Sequence, residues 1–316
     1  MVAIFLLGSL YAYASACVGI GPVNEPVTFG DQSNIIVWNP DTKTEHFVRK
    51  AFFDSKAKDF GFIAATPSIP ELSEANEHIF EVLDSLKPQE NSPMTGAAAA
   101  NAKSVEVLQV VDVGKYQATT IRSDDPTALS AYLKQNGYAT RPDSDEWIKF
   151  YTDKKWVLTA FKVRSGAGKG SQTGVIRMSF KTDEPFNPYY VPSGNSAEGG
   201  TLKVYFVSKG TYSATVGHNE NWRPAVWHAS MDETVTNQLA TSLKMPPTEI
   251  PKSPTVTYFE KQNWLEGAKD DLYFKEDSQM TTVILMGLGL AAGGLWWFTR
   301  NRRTKVLADL VPKSDS

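Results

Sequence analysis

The residues of this 316-residue chain best suited to acid–base or metal chemistry are its four histidines, His46, His78, His218 and His228. None stands in an HExxH, HxH or CxxC setting, the spacings by which a helix or turn brings two ligands to one zinc ion. The pair closest to a fold-assembled metal site is His218 and His228, with Glu220 and Asp232 nearby, and the chemistry it would support is metal-dependent hydrolysis. The competing reading of the run GHNENWRPAVWHA is that its histidines are hydrogen-bonding packing residues. Glu74 and His78 stand four apart and are expected as a surface pair on one helix. Glu45 and His46 fall on opposite faces of an expected strand and cannot act together directly.

Nucleophile and phosphate signatures fail on spacing. In SGAGKGSQTG, Lys169 is followed by Gly170 rather than Ser or Thr, and Val163 stands where a phosphate loop has its first glycine. There is no GxSxG elbow, and Cys17, the single cysteine, lies near the chain start. No cofactor is implied. Aromatic surface remains: PFNPYYVPSGN sets Phe186, Tyr189 and Tyr190 among Pro185, Pro188 and Pro192, and Trp222 and Trp227 flank Arg223. Such stiff aromatic stretches stack on sugar rings or proline-rich peptides, or else pack a strand-to-loop corner.

The elements that would position these residues read as α+β, a mainly antiparallel sheet with a few covering helices. NIIVWNPDTKTEHFVRKAFF predicts a hairpin of Asn34 to Trp38 with Glu45 to Phe53 about an Asn39-Pro40-Asp41-Thr42 turn. FGFIAAT reads as a strand. Pro70 begins an expected helix whose apolar positions are Leu72, Ala75, Ile79, Leu83 and Leu86. Residues 91–104 read as a small-residue surface loop or a linker between two halves of the domain. Strands are expected on both sides of Val113-Gly114-Lys115. A helix capped by Asp124 or Asp125 should follow, with Leu129, Tyr132 and Leu133 inward and Gly137 just past its end. A third helix spans about 143–152, and strands recur at KWVLTAFKV, GVIRMSF and TLKVYFV. Residues 17–245 make the folded domain, and 246–279, opening with PPTEIPKSPT, an extended connector.

Both ends point to a membrane. Met280 to Phe298 holds 19 residues without a charge, roughly 28 Å of helix and about one hydrocarbon thickness. Trp296 and Trp297 fall where an aromatic belt sits, and Arg300, Arg302, Arg303 and Lys305 follow, which by the positive-inside rule places 299–316 in the cytoplasm. Gly289 and Gly293 have the spacing of a helix-dimer contact. Residues 1–16 read as a signal peptide, an apolar run from Val2 to Leu10 followed by Ala14 and Ala16 at a cleavage site, although no Lys or Arg precedes the run. Cys17 just after it is a candidate lipidation site. Five of the 32 basic residues and two of the 35 acidic ones follow the span, leaving 27 basic against 33 acidic residues before it; this balance disfavours nucleic acid as a partner.

The runs DQSNIIVWNPDTKTEHFVRKAFFDSKAKDFGFIAATPSIPEL, LKQNGY, IRMSFKTDEPFNPY and KDDLYF, spread from Gly30 to Phe274, resemble the bacterial family known as domain of unknown function 2330. Ile63 to Ala65 depart from it, where a Leu-Val-Pro-like stretch is expected. The resemblance implies an exported, membrane-tethered bacterial protein and transfers no catalytic residue. The expectation is a single-pass protein of the inner membrane, non-enzymatic, whose extracytoplasmic domain binds an envelope protein or glycan. Its alternative is an envelope hydrolase built on His218 and His228.

Overall fold

Strand periodicity and turn chemistry account for most of the chain in the computed structural model, which describes residues 18–20, 28–54, 61–88, 109–123, 125–136, 142–163, 174–192, 200–264 and 268–277. The signal segment, Cys17, the 91–104 loop, Gly137, most of SGAGKGSQTG, the apolar run with Gly289 and Gly293, and the tail lie outside the described residues. No helix among the described residues is long and apolar enough to cross a membrane.

In chain order the elements are β1 (Val18–Ile20), β2 (Thr28–Asn39), β3 (Thr44–Asp54), β4 (Gly61–Thr66), β5 (Glu71–Ala75), α1 (His78–Asp84), β6 (Gln109–Val113), β7 (Tyr116–Ile121), α2 (Pro126–Gln135), α3 (Pro142–Asp153), β8 (Val157–Val163), β9 (Val175–Lys181), β10 (Phe186–Asn187), β11 (Leu202–Lys209), β12 (Tyr212–Val216), β13 (Glu220–Asn221), β14 (Trp227–Ser230), α4 (Glu233–Ser242), β15 (Pro254–Lys261) and β16 (Leu272–Glu276). Three sheets result, ordered β14-β15-β11-β2-β3-β9-β5, β1-β4-β8-β7-β6 and β10-β16-β12-β13. Pairing is antiparallel in most ladders among the described residues, while β11 pairs with β2 in parallel.

The alternation of side chains along each strand builds four layers. Ile36, Trp38, Phe47, Met178 and Phe206 point from the seven-stranded sheet into a shared core with Phe62, Tyr116 and Phe161 of the five-stranded sheet and Leu272 and Phe274 of the smallest one. The opposite face of the seven-stranded sheet, with Ile35, Val37, Val48 and Val207, is covered by Ile79, Phe80 and Leu83 of α1, Leu239 of α4 and Leu243 just after it. The far face of the five-stranded sheet is covered by Leu129 and Leu133 of α2 and Trp147, Ile148 and Tyr151 of α3. The described residues are therefore α+β, with mostly antiparallel sheet and four α-helices.

Local chemistry explains the hairpin and the caps. Asn39 Oδ1 accepts from the backbone N–H of Asp41 and Thr42 at 3.1 and 3.2 Å, an Asx turn that sets Trp38 opposite Glu45. Asp125 caps α2 through the N–H of Thr127 at 2.8 Å, with Pro126 at the first helical position.

Three expectations are corrected. The helix from Pro70 is a strand followed by a short helix: β5 pairs with β9, so Leu72 enters the inter-sheet core and Ala75 the helix-side core. Their three-residue spacing suits opposite faces of a strand as well as one face of a helix. His78 consequently pairs with Glu81 at 2.5 Å, while Glu74 lies 3.6 Å from Lys244. The stretch 246–279 is not a connector. β15 pairs along its full length with β11, and β16 lies between β10 and β12, so the folded unit runs through Lys275.

Candidate functional site

On the helix-bearing face of the seven-stranded sheet, register brings chemistry together that sequence keeps apart. His46 pairs with Ser179, and Thr44 with Lys181, across β3 and β9. β5 adds Glu71 opposite Ser179 and Ser73 opposite Arg177. Because alternate residues share a face, His46, Arg177 and Ser179 lie on the helix side, whereas Glu45, Met178 and Phe180 point into the core. After α4 the chain passes Leu243 to Met245 and makes one 3-10 turn, Pro247–Glu249, leaving a basin of about 690 Å³ between this segment and the sheet.

His46 Nδ1 lies 2.8 Å from Ser179 Oγ, and His46 Nε2 lies 3.7 Å from Glu249 Oε2, too far for a hydrogen bond. Both of those facing atoms, together with Arg177 Nε, are buried without a hydrogen-bond partner. Arg177 Nη1 donates to the carbonyls of Leu243 and Lys244, each at 3.0 Å, and Nη2 donates to Glu71 Oε1, so this residue ties the α4 exit to the sheet. Lys181 Nζ donates to Thr42 O and Thr44 Oγ1 at 2.8 and 2.6 Å. Arg122 and Lys244 complete the cationic lining. Burial pushes the His46 imidazole down to about 4, helped by the charges of Arg177 and Lys181, so at neutral pH it is uncharged. Burial also lowers Arg177, against the opposing pull of Glu71 and Glu249.

The Ser179–His46–Glu249 line has the composition of a proton relay but lacks what acyl transfer needs. An imidazole held near 4 is a weak base at neutral pH. Ser179 sits in a strand laddered on both sides, a setting that offers no pair of free backbone N–H groups as an oxyanion hole.

The residues singled out in the sequence are placed differently. Phe186 and Tyr189 lie in the core, 1% and 0% exposed, and present no ring face to a ligand. Tyr189 donates its hydroxyl to Trp264 O at 2.7 Å, and burial raises it to about 12. Tyr190 stacks on Phe150 at 3.8 Å and donates to Glu146. Trp222 meets Tyr189 edge-on at 5.7 Å. Arg223 and Trp227 share a concavity, a second basin of about 480 Å³ beside Tyr258, where Trp227 stacks on Tyr258 at 5.0 Å. His218, exposed, packs over the Tyr273 ring at 4.3 Å with Glu184 at 3.5 Å. His228, also exposed, lies on edge strand β14. Among the described residues no group of three His, Cys, Asp or Glu side chains is placed to hold a metal ion. What the sequence reading missed is the basin around His46: its members lie 133 residues apart for His46 and Ser179 and 66 for Arg177 and Leu243, and no short motif marks them.

No curated protein matches the chain. The crystal structure of baculovirus P35 is similar at a TM-score of 0.39 and 11% identity, covering 66% of this chain and 75% of that one, which is too distant to carry an argument. The family model described as uncharacterized protein conserved in bacteria, domain of unknown function 2330, matches residues 11–244. Because that match spans well over half of the chain, the protein belongs to the domain-of-unknown-function-2330 family of bacterial proteins.

Proposed function

We propose that the chain is a non-enzymatic, single-pass envelope protein whose extracytoplasmic domain binds another envelope component, protein or glycan, with the His46–Arg177 basin as the binding site. The observation that supports binding is the set of buried, unpartnered polar atoms lining an open basin of about 690 Å³. Buried polar groups are normally satisfied, and three such atoms on residues that line one concavity favour a role in holding a ligand. The outward placement rests on the uncharged run Met280 to Phe298 and the basic cluster after it. Alkaline phosphatase joined after Asp277 should be active, and joined after Lys313 inactive. The reverse pattern contradicts the outward placement.

A further inference from the structure

We propose that the basin over His46 and Ser179 receives an oxyanion, carboxylate or phosphate, borne on a hydroxyl-bearing carrier such as a sugar acid or a glycerol phosphate. This rests on the binding reading above and names its ligand class.

Charge comes first. Arg122, Arg177, Lys181 and Lys244 line the basin against Glu71 and Glu249, and Glu74, outside the lining, lies 3.6 Å from Lys244; the balance stays positive in a concavity where water screens charge less than on open surface. Donors come next. Arg177 Nε has no acceptor. Lys181 spends two donors on Thr42 and Thr44, leaving a third, since an ammonium carries three. Ser179 and the neutral His46 are hydrogen-bonded to each other on the floor at 2.8 Å, which leaves one further O–H or N–H donor between them, with the His46 side chain only 5% exposed. An oxyanion is the group that accepts from several such donors at once.

The carrier follows from one atom of opposite character. Glu249 Oε2 is a buried acceptor without a donor, 3.7 Å from His46 Nε2. A bare anion would be repelled there. A hydroxyl beside the anionic group could donate to Glu249 while the anion meets the cations, satisfying both sets of unpaired atoms.

The test is calorimetric titration of the full chain, purified in neutral detergent at low salt, with inorganic phosphate, glycerol 3-phosphate, glucuronate and glucose. Glycerol 3-phosphate or glucuronate is expected to bind with a dissociation constant of about 1 mM or tighter and at least about tenfold more tightly than inorganic phosphate; glucose should not bind. Which of the two binds more tightly separates a phosphate from a carboxylate source. Lys181→Met combined with Lys244→Met should weaken binding by at least about tenfold, the loss expected for one or two charge-assisted bonds. Lys244, its side chain 57% exposed, is chosen because Arg177 also holds the α4 exit. Glu249→Ala should abolish the preference over inorganic phosphate. Near-UV circular dichroism identical to the parent verifies the fold of each variant. Absence of binding by every anion overturns the proposal, as does binding indifferent to the two lysine changes. Glycerol 3-phosphate and glucuronate binding no better than inorganic phosphate overturns the carrier. None of these results alters the phosphatase-fusion pattern, so the ligand class and the envelope placement fail separately.

Discussion

Two lysines near the end of α3 test whether burial or proximity decides the strength of an ion pair. Lys149 lies 2.5 Å from Asp153, but both side chains are more than half exposed, at 62% and 61%. Lys154 is farther from its partners, 3.0 Å from both Asp270 and Asp271, yet the Asp271 side chain is 0% exposed. Asp271 also accepts from Tyr151 Oη at 2.5 Å and from the Tyr189 N–H at 3.0 Å, and the Lys154 ammonium sits 4.2 Å over the Phe150 ring. Burial lowers the Lys154 ammonium, but the charge and hydrogen bond of Asp271 outweigh it and hold the group above its ordinary value. Lys154→Met keeps the apolar stem and removes the charge, leaving a buried carboxylate without a counter-ion. Removal of one partner from a buried pair costs about 3 to 5 kcal/mol; the remaining donors to Asp271, from Tyr151, Tyr189 and Tyr190, place the loss at the lower end, about 3 kcal/mol. In a domain of this size that lowers Tm by roughly 6 to 12 °C. Lys149→Met should cost only a few tenths of a kcal/mol. Urea unfolding followed by tryptophan fluorescence, with an unchanged m-value, measures both. Equal losses for the two variants, or a Lys154→Met loss below about 1 kcal/mol, would refute the reasoning.

Other consequences can be measured in the same way. In the unfolded chain His46 protonates near 6.5, but in the fold only near 4. The unfolded state therefore binds more protons across that window, and stability is lost as pH falls from 6.5 toward 4. At 1.36 kcal/mol per pH unit the displacement is worth roughly 3 kcal/mol, and His46→Asn should flatten that part of the stability profile. Glu45 runs the other way: burial raises its carboxyl well above the usual range, against the lowering effect of the Phe186 N–H. The fold then keeps a proton that the unfolded chain releases above 4.5, stability falls as pH rises, and Glu45→Gln should remove this loss. A Cβ added at Gly61 would meet the Phe161 carbonyl at 2.2 Å. Gly61→Ala should therefore cost about 1 to 3 kcal/mol in urea unfolding.

Elements whose signals are local were legible. The β2–β3 hairpin followed from its Asn-Pro-Asp turn, and α2 from Asp125-Pro126; both stand where the residues put them. Elements decided by distant pairing were not. Leu72 and Ala75 carry a spacing shared by two periodicities, and only the ladder with β9 selects strand. β15 begins at Pro254, a residue that suggests a linker but is tolerated at the first position of a strand. The site was less legible than the fold, because a histidine, a serine and an arginine on strands become neighbours only through register. Aromatic richness misled in the opposite direction, since Phe186 and Tyr189 supply core volume between layers.

The most direct measurement of the central account is photo-crosslinking in intact cells from a benzoylphenylalanine placed at Ile69, 44% exposed on the basin, with the same group at Val226, 57% exposed in the second basin, as control. The account expects a light-dependent adduct with an envelope component from position 69, absent from position 226 and lost with Lys181→Met and Lys244→Met together. No adduct from position 69, or one that survives both lysine changes, would contradict it.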